Sequence, residues 1–215
     1  MLLDHRYNYL NPDVLMPLRD YIKKIGEDLF AVDDEVIYGN RHIQAFNMTF
    51  TTDQGWNNLS KIYPGFDGYL EQVVDFNCNM IHIVALRGSL GAEIEPHQDD
   101  TLEEHLENNT SNERKGVFLG LDPICSTHTT ITYLQVPRDM EGGKFYIQAE
   151  EDGEKEYYRP QTNMMLKITG DTWHGATAVT EIDGERFVLV CEQYKLSMRN
   201  LRRLSDYDAP KILRG

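Results

Sequence analysis

Apolar residues in the N-terminal part of the chain recur at the spacing of a helix. Leucine and isoleucine follow each other at steps of three and four, at Leu15, Leu18, Ile22, Ile25 and Leu29. This pattern predicts an amphipathic helix over about residues 14–30. Asn11 is its candidate cap, and Pro12 or Pro17 fits the first turn. A second helix is predicted at about residues 69–74, and both helices are expected to pack on the outside of a sheet.

The pattern changes after residue 80 to short runs rich in β-branched and aromatic residues. These runs lie at residues 81–86, 92–97, 129–136, 143–148, 163–168, 172–180 and 186–194. Turn-forming residues separate them, including those at 151–153 and 182–184. Many short strands with turns between them are typical of a sandwich or a barrel. The sequence therefore predicts a mainly β fold with flanking helices.

A length of 215 residues predicts a single domain. Residues 1–80 are expected to form a helical support, residues 81–195 the strand-rich core, and residues 196–215 a C-terminal extension. The polar stretch 100–116 interrupts the strands. It is either a lid beside a functional site or a passive surface loop.

The chain is strongly acidic. It carries 21 Lys and Arg against 35 Asp and Glu, a net charge of −14. Such a chain repels phosphate backbones, so nucleic acid is not an expected partner. Solubility alone would account for this charge. The acidic residues also crowd into residues 93–107, however, which favours a substrate with a cationic group.

The three cysteines and the distribution of apolar residues bear on the compartment. Cys78, Cys125 and Cys191 are odd in number and widely spaced, which predicts reduced thiols in the cytoplasm. No C-x-x-C pair is present, so a zinc knuckle is not expected. No apolar run resembles a signal peptide or reaches the roughly 20 residues of a membrane span, so no membrane association is expected.

The most informative motif is His97-Gln98-Asp99, followed far downstream by His174. Residues two apart on a strand point to the same face, so His97 and Asp99 are expected to face one site together. Two imidazoles and one carboxylate leave open coordination positions, as in non-haem Fe(II) oxygenases. An H-x-D motif alone is weak, and an exposed His-Asp pair is the alternative interpretation.

Further motifs in a fixed order make residues 81–195 resemble the Fe(II)/2-oxoglutarate-dependent dioxygenases, in particular their prolyl-4-hydroxylase-like branch. The matching pieces are Arg87-Gly88, His97-Gln98-Asp99, residues 130–135 (TITYLQ), residues 141–145 (EGGKF), Trp173-His174-Gly175 and Glu185-Arg186-Phe187. The resemblance implies a double-stranded β-helix, a cupin-like jelly roll, with the N-terminal α-helices packed on its outside.

The resemblance also implies a metal centre. His97, Asp99 and His174 would bind Fe(II) and form the catalytic site, with 2-oxoglutarate and O₂ as co-substrates and ascorbate as a candidate stimulant. Related halogenases replace the carboxylate by a small residue. The presence of Asp99 therefore makes hydroxylation the expected outcome.

A bound 2-oxoglutarate needs a cation for its distal carboxylate. Arg186 is the candidate, because a guanidinium can grip a carboxylate through two parallel hydrogen bonds. The resemblance adds the Tyr133 hydroxyl and, as a second cation, Arg87. The alternatives are a solvated turn position for Arg186, with Lys195 late in the same strand as the fallback cation, core packing for Tyr133 and a surface salt bridge for Arg87.

Three more residues are candidates for contact with the substrate or for support of the metal ligands. His128 precedes the central strand and is a candidate for substrate contact, in which case its side chain would face the cavity. Trp173 lies beside His174, where packing is the preferred interpretation. Asp100 has the wrong strand parity relative to His97, so a solvated or supporting position is expected.

The expected function is hydroxylation of an unactivated C–H bond in a small polar substrate, with release of succinate and CO₂. Amino acids, peptidyl prolyl or other side chains and metabolites all remain open as substrates. One alternative is a cupin-type metal enzyme that does not use 2-oxoglutarate. Another is a non-catalytic module that binds a 2-oxo acid.

Overall fold

A computed structural model describes residues 1–29, 42–100, 102, 125–198 and 200–201. The α-helices whose bounds it describes are α1 (Pro12–Leu29), α2 (Gln54–Ile62) and α3 (Asp67–Val73), and a 3-10 turn covers Pro64–Phe66. The strands are β1 (Leu2–Arg6), β2 (Ile43–Thr51), β3 (Met80–Gly88), β4 (Ile94–His97), β5 (His128–Gln135), β6 (Glu141–Gly142), β7 (Phe145–Gln148), β8 (Lys155–Tyr158), β9 (Met164–Ile168), β10 (Trp173–Ala176), β11 (Val179–Glu181) and β12 (Arg186–Tyr194).

These strands form three antiparallel sheets. The largest has six strands in the order β1-β9-β5-β12-β3-β2, and the second has four in the order β4-β10-β7-β8. A small third sheet pairs β11 with β6. The predicted mainly β fold with a few helices is confirmed. The first 80 residues, expected to supply helices, also supply β1 and β2, which form the two edges of the largest sheet.

Two buried clusters lie on the two faces of the six-stranded sheet. Residues 81, 83 and 85 of β3 and 187, 189 and 191 of β12 belong to one cluster, together with apolar residues of all three helices. Residues 84 and 86 of β3 and 188 of β12 belong to the other, which also includes Phe145 of the four-stranded sheet. This segregation follows from the alternation of side chains along a strand. The second cluster surrounds the cavity described below.

Both predicted helices are present, as α1 and α3. The predicted strands are present, most of them with shifted ends, but the predicted run 172–180 is divided between β10 and β11, which lie in different sheets. Strands β1, β2, β6 and β8 and helix α2 were not predicted. A sequence signal for β2 was available, because apolar residues alternate at Phe46, Met48 and Phe50, and all three are buried in the structure. Strand β8 offers no such signal, because three of its four residues are exposed.

The stretch 100–116 lies outside the described residues apart from Asp100 and Leu102, and so does most of 196–215. Within the described part of the chain, no helix is both long enough and apolar enough to cross a membrane.

Candidate metal and co-substrate site

A cavity opens between the six-stranded and four-stranded sheets. Its walls are mostly apolar and include Leu86, Ile94, Ile131, Phe145, Val188 and Val190. Five polar side chains also face it, namely His97, Asp99, Tyr133, His174 and Arg186. These five were all candidate site residues from the sequence, and the fold brings them to one cavity.

His97 and His174 are direct neighbours across two paired strands. Strand β4 ends at His97, which lies opposite His174 of β10 in the antiparallel register. The centroids of the two rings are 4.3 Å apart. One ligand atom each from His97, Asp99 and His174 lie within 4.8 Å of one another. The separation between His174 Nε2 and Asp99 Oδ1 is 3.6 Å.

Asp99 reaches this group from outside the strand. The sequence predicted that His97 and Asp99 share one strand face, but β4 ends at His97 and Asp99 lies in a bend. Backbone hydrogen bonds fix the bend: the Asp99 amide donates to the Gly170 carbonyl at 3.0 Å, and the Ser126 amide donates to the Asp99 carbonyl at 2.8 Å. The carboxylate is therefore positioned by these contacts rather than by strand alternation.

The orientation of both imidazoles suits metal binding. His97 Nδ1 lies 2.9 Å from the Glu95 carbonyl oxygen, and His174 Nδ1 lies 2.9 Å from the Thr172 carbonyl oxygen. A carbonyl can only accept a hydrogen bond, so each Nδ1 carries the proton. In a neutral imidazole this makes Nε2 the unprotonated nitrogen, which is the atom that can bind a metal.

The protonation state of His97 supports the same conclusion. Burial, together with the neighbouring His174 ring, lowers the pKa of His97 from 6.5 to about 4, although the Asp99 carboxylate and the hydrogen bond to the Glu95 carbonyl oppose this shift. The imidazole is therefore neutral at pH 7 and available as a ligand.

Thr129, which sequence analysis missed, orients the Asp99 carboxylate. Its hydroxyl donates a short hydrogen bond to Asp99 Oδ2, while Asp99 Oδ1 faces His174. Because the Thr129 proton is directed to the carboxylate, the Ser126 hydroxyl, 2.9 Å away, donates to Thr129. A signal was present in the sequence, since Thr129 has the same strand parity as Tyr133.

Arg186 is a buried cation that has no carboxylate partner among the described residues. Its side chain opens β12 and the residue is 4% exposed, with Nη1 donating to the Gly143 carbonyl oxygen at 3.0 Å. Its Nε is buried and has no hydrogen-bond partner. No acidic side chain of the described residues forms an ion pair with it. Burying an unpaired charge is costly, so this guanidinium suits an anionic ligand in the cavity.

Tyr133 lies beside this cation. Its position on β5 is paired with Val188 of β12, and it is fully buried. Burial raises the pKa of Tyr133 to about 12, with the charge of Arg186 acting in the opposite direction. The hydroxyl therefore keeps its proton at pH 7 and can donate to a carboxylate next to Arg186.

The 12-residue step from His174 to Arg186 is taken up by β11 and the turn after it. Strand β11 pairs with β6, and Gly184 in the turn has a φ of 106°, a region that favours glycine. The chain then enters β12 with Arg186 facing the cavity.

Arg87, expected from the resemblance to contact the co-substrate, lies away from the cavity. It follows the cavity residue Leu86 on β3, so its side chain points to the other face. There its Nε donates to Gln44 Oε1 at 2.7 Å and lies 3.4 Å from Glu185 Oε1. Arg87 therefore forms a surface ion pair, the alternative that the sequence left open.

His128 also departs from expectation. It was a candidate for substrate contact, but it precedes Thr129 on β5 and so faces away from the cavity. It lies instead beside Asp75 and Cys78. Trp173 and Asp100 are half-buried, and neither lines the cavity.

No protein-family model and no curated protein sequence matches the chain. Solved structures do. A prolyl-4-hydroxylase from Pseudomonas putida aligns over 90% of this chain and 92% of its own, with a TM-score of 0.54 and 13% identity. A prolyl hydroxylase from Trichoplax adhaerens, in complex with a peptide fragment of the hypoxia inducible factor oxygen degradation domain, aligns over 95% of this chain and 86% of its own, with a TM-score of 0.52 and 11% identity. At these identities the likeness concerns the fold, and the predicted resemblance is confirmed at that level.

Proposed function

We propose that this chain is an Fe(II)- and 2-oxoglutarate-dependent oxygenase that hydroxylates an unactivated C–H bond. The observation that carries the proposal is the pairing, in one cavity, of a two-histidine, one-carboxylate group with a buried arginine that has no anionic partner in the part of the chain that the structure describes. A metal site alone would need no such arginine. A 2-oxo diacid requires both, because one of its ends can meet the metal while the other needs a cation.

The donor set fits ferrous iron. The Nδ1 atoms of His97 and His174 face carbonyl oxygens, so Nε2 of each ring is the candidate ligand atom. Thr129 donates to Asp99 Oδ2, which leaves Asp99 Oδ1 as the candidate carboxylate ligand. Three protein ligands leave positions for co-substrates. When bound, Fe(II) and 2-oxoglutarate supply the activation of O₂, with succinate and CO₂ as by-products.

Arg186 and Tyr133 are assigned to the distal carboxylate of 2-oxoglutarate. The guanidinium supplies charge and its unpartnered Nε, and the Tyr133 hydroxyl adds a neutral donor. The apolar side chains around them, including Ile131 and Val188, exclude water and so strengthen these contacts.

The substrate proposed is small and polar, either a free amino acid, a peptidyl prolyl or other side chain, or a metabolite. The Trichoplax adhaerens neighbour was solved with a peptide, which supports including peptides. The net charge of −14 and the exposed Glu93 and Glu95 before His97 favour a substrate with a cationic group. Ascorbate as a stimulant and the cytoplasm as the compartment belong to the same proposal.

The first test is an anaerobic titration of the protein with Fe(II) and then 2-oxoglutarate, followed by visible absorption. Formation of the charge-transfer band of a 2-oxo acid bound to Fe(II) is expected. Arg186→Leu should weaken 2-oxoglutarate binding by about 100-fold or more, because each hydrogen bond to a charged group contributes ~1.5–3 kcal/mol. Arg87→Leu is the matched control and should bind 2-oxoglutarate as the wild type does, since Arg87 points away from the cavity.

Succinate release in air, measured across a panel of free amino acids and proline-containing or lysine-containing peptides, then tests turnover. Absence of the charge-transfer band from the wild type would refute the proposal. Oxygen consumption with substrate but without succinate release, equal in wild type and Arg186→Leu, would instead identify a cupin-type enzyme that does not use 2-oxoglutarate. A band without any succinate would identify a binding module.

A further inference from the structure

A second group of metal-binding side chains lies on the opposite face of the six-stranded sheet. Ligand atoms of Asp75, Cys78 and His128 lie within 4.8 Å of one another. Asp75 and Cys78 belong to the segment 74–79 that joins α3 to β3, and His128 opens β5. The neighbouring Thr129 points to the other side of β5, where it donates to Asp99. The side chains of His128 and Thr129 therefore point to opposite faces of the same strand.

Local hydrogen bonds hold Asp75 and Cys78 in place. The Cys78 amide donates to the Asp75 carbonyl at 2.9 Å, which closes a tight turn. The backbone amide and side-chain amide of Asn77 both donate to Asp75 Oδ1, at 2.9 and 2.8 Å. These contacts fix the carboxylate and leave Oδ2 as the oxygen that can meet a cation.

Gln193 ties this turn to the sheet. Its Oε1 accepts from the Asp75 amide at 2.7 Å, and its Nε2 donates to the Val73 carbonyl oxygen at 2.9 Å. Gln193 is also the register partner of His128 in the pairing of β12 with β5. One buried side chain thus positions the turn against the strand that carries the imidazole.

The imidazole has unused hydrogen-bonding capacity. His128 is 4% exposed, and its buried Nε2 has no hydrogen-bond partner. A buried polar atom without a partner costs ~1–3 kcal/mol, so it calls for an explanation. Cys78 is buried beside it, whereas Asp75 is partly exposed and opens a path from solvent.

We propose that Asp75, Cys78 and His128 form a second metal site, distinct from the cavity site and selective for a divalent cation of the Zn²⁺ class. The Asp-x-x-Cys spacing places two donors on one turn, as Cys-x-x-Cys does in zinc knuckles. A thiolate, a carboxylate and a neutral imidazole carry a charge of −2, which a divalent cation neutralises. The fourth tetrahedral position is left for water.

The donor types separate the two sites chemically. The cavity site has no sulfur ligand, whereas Cys78 gives the second site a soft one, and thiolate favours Zn²⁺ over Fe²⁺. Donors around tetrahedral zinc stand roughly 3.5 Å apart, as follows from bond lengths of ~2.0–2.3 Å, so the three side chains need to close in only slightly. Without a metal, the Cys78 thiol is held by a hydrogen bond with Thr127.

Co²⁺ is the probe that tests this proposal, because it substitutes for Zn²⁺ and its thiolate complexes give a near-ultraviolet charge-transfer band. Metal-free protein is titrated with Co²⁺. The absorbance of the band is expected to stop rising once one Co²⁺ per chain is bound through the Cys78 sulfur. The cavity site contributes nothing to this band, since it lacks sulfur. Added Zn²⁺ should then displace the Co²⁺ and abolish the band.

Cys78→Ser should abolish the band, and Cys125→Ser is the matched control that should retain it. Asp75→Asn and His128→Asn, which keep the thiol, should weaken Co²⁺ binding by about 10- to 100-fold or more. Circular dichroism checks that each variant is folded. If Cys78→Ser fails to fold, Asp75→Asn serves as the test instead, because Asp75 is partly exposed. The proposal is overturned if wild-type protein gives no band, if the band survives Cys78→Ser, or if Asp75→Asn and His128→Asn bind Co²⁺ as the wild type does.

Discussion

Removal of a single hydroxyl tests whether Asp99 is a metal ligand held by its neighbour. Thr129→Val is nearly isosteric and deletes the donor to Asp99 Oδ2. The matched control is Thr130→Val: Thr130 is also buried on β5, but it faces the other side of the sheet.

The magnitude follows from the charge on the acceptor. A hydrogen bond to a charged group contributes ~1.5–3 kcal/mol, and about 1.4 kcal/mol corresponds to a tenfold change in a binding constant. Thr129→Val should therefore weaken metal binding by about 10- to 100-fold, in line with the usual effect of losing a partner of a metal ligand. It should also destabilise the metal-free protein. For a chain of this length, each kcal/mol of lost stability lowers the melting temperature by roughly 2–4 °C.

Mn²⁺ is the suitable ion for this assay. It accepts imidazole and carboxylate ligands but disfavours thiolate, so it reports on the cavity site and not on Cys78. Free Mn²⁺ is followed by electron paramagnetic resonance as protein is added. If folded Thr129→Val binds Mn²⁺ as tightly as wild type and Thr130→Val, Asp99 does not depend on Thr129 and the argument for this carboxylate as an oriented ligand fails.

Two further predictions concern the arginine and the buried imidazoles. Gly143→Ala should weaken 2-oxoglutarate binding, because Gly143 has a φ of 57° and an added Cβ would lie 2.9 Å from Arg186 Nη1. The control Gly184→Ala, with a φ of 106° and no atom within 4 Å of its Cβ, should cost a similar ~1 kcal/mol of stability without changing the affinity for 2-oxoglutarate. If calorimetry gives the two variants the same affinity, the assignment of Arg186 to 2-oxoglutarate is contradicted. The metal-free protein should lose stability as pH falls from 6.5 towards 4, because the pKa of both His97 and His128 is lowered to about 4, mainly by burial, and the unfolded chain therefore binds the protons first. The stabilisation is fully present above pH 6.5. The melting temperature of His128→Asn should fall less steeply with decreasing pH than that of the wild type, and equal slopes would refute the contribution of His128.

The sequence predicted much of the cavity because its polar residues lie within ordered motifs on alternating strands. Tyr133 and Arg186 face the cavity from neighbouring strands of one sheet. Arg87 and His128 were misplaced for one shared reason: each lies next to a residue that faces the cavity, and alternation turns it to the other side. The bend that carries Asp99 was not predictable, because hydrogen bonds to Gly170 and Ser126, distant in sequence, define it.

The second group of donors could not be found from local patterns. Fifty residues separate Cys78 from His128, and the turn at 75–78 resembles an ordinary surface loop. Only the docking of that turn against β5, through Gln193, brings the three side chains together. The absence of C-x-x-C argued against a zinc knuckle, but it did not address a site whose first donor is an aspartate.

Strand β5 has hydrogen-bonded neighbours on both sides, β9 and β12. Because side chains alternate, a slip of one residue during folding would exchange every inward and outward position. His128 would then enter the cavity, where its imidazole would compete with His97 and His174, and Thr129 would leave the Asp99 carboxylate without a donor. Two flanking strands lock β5 against this error, so fidelity of strand pairing is itself a condition for assembling the correct ligand set.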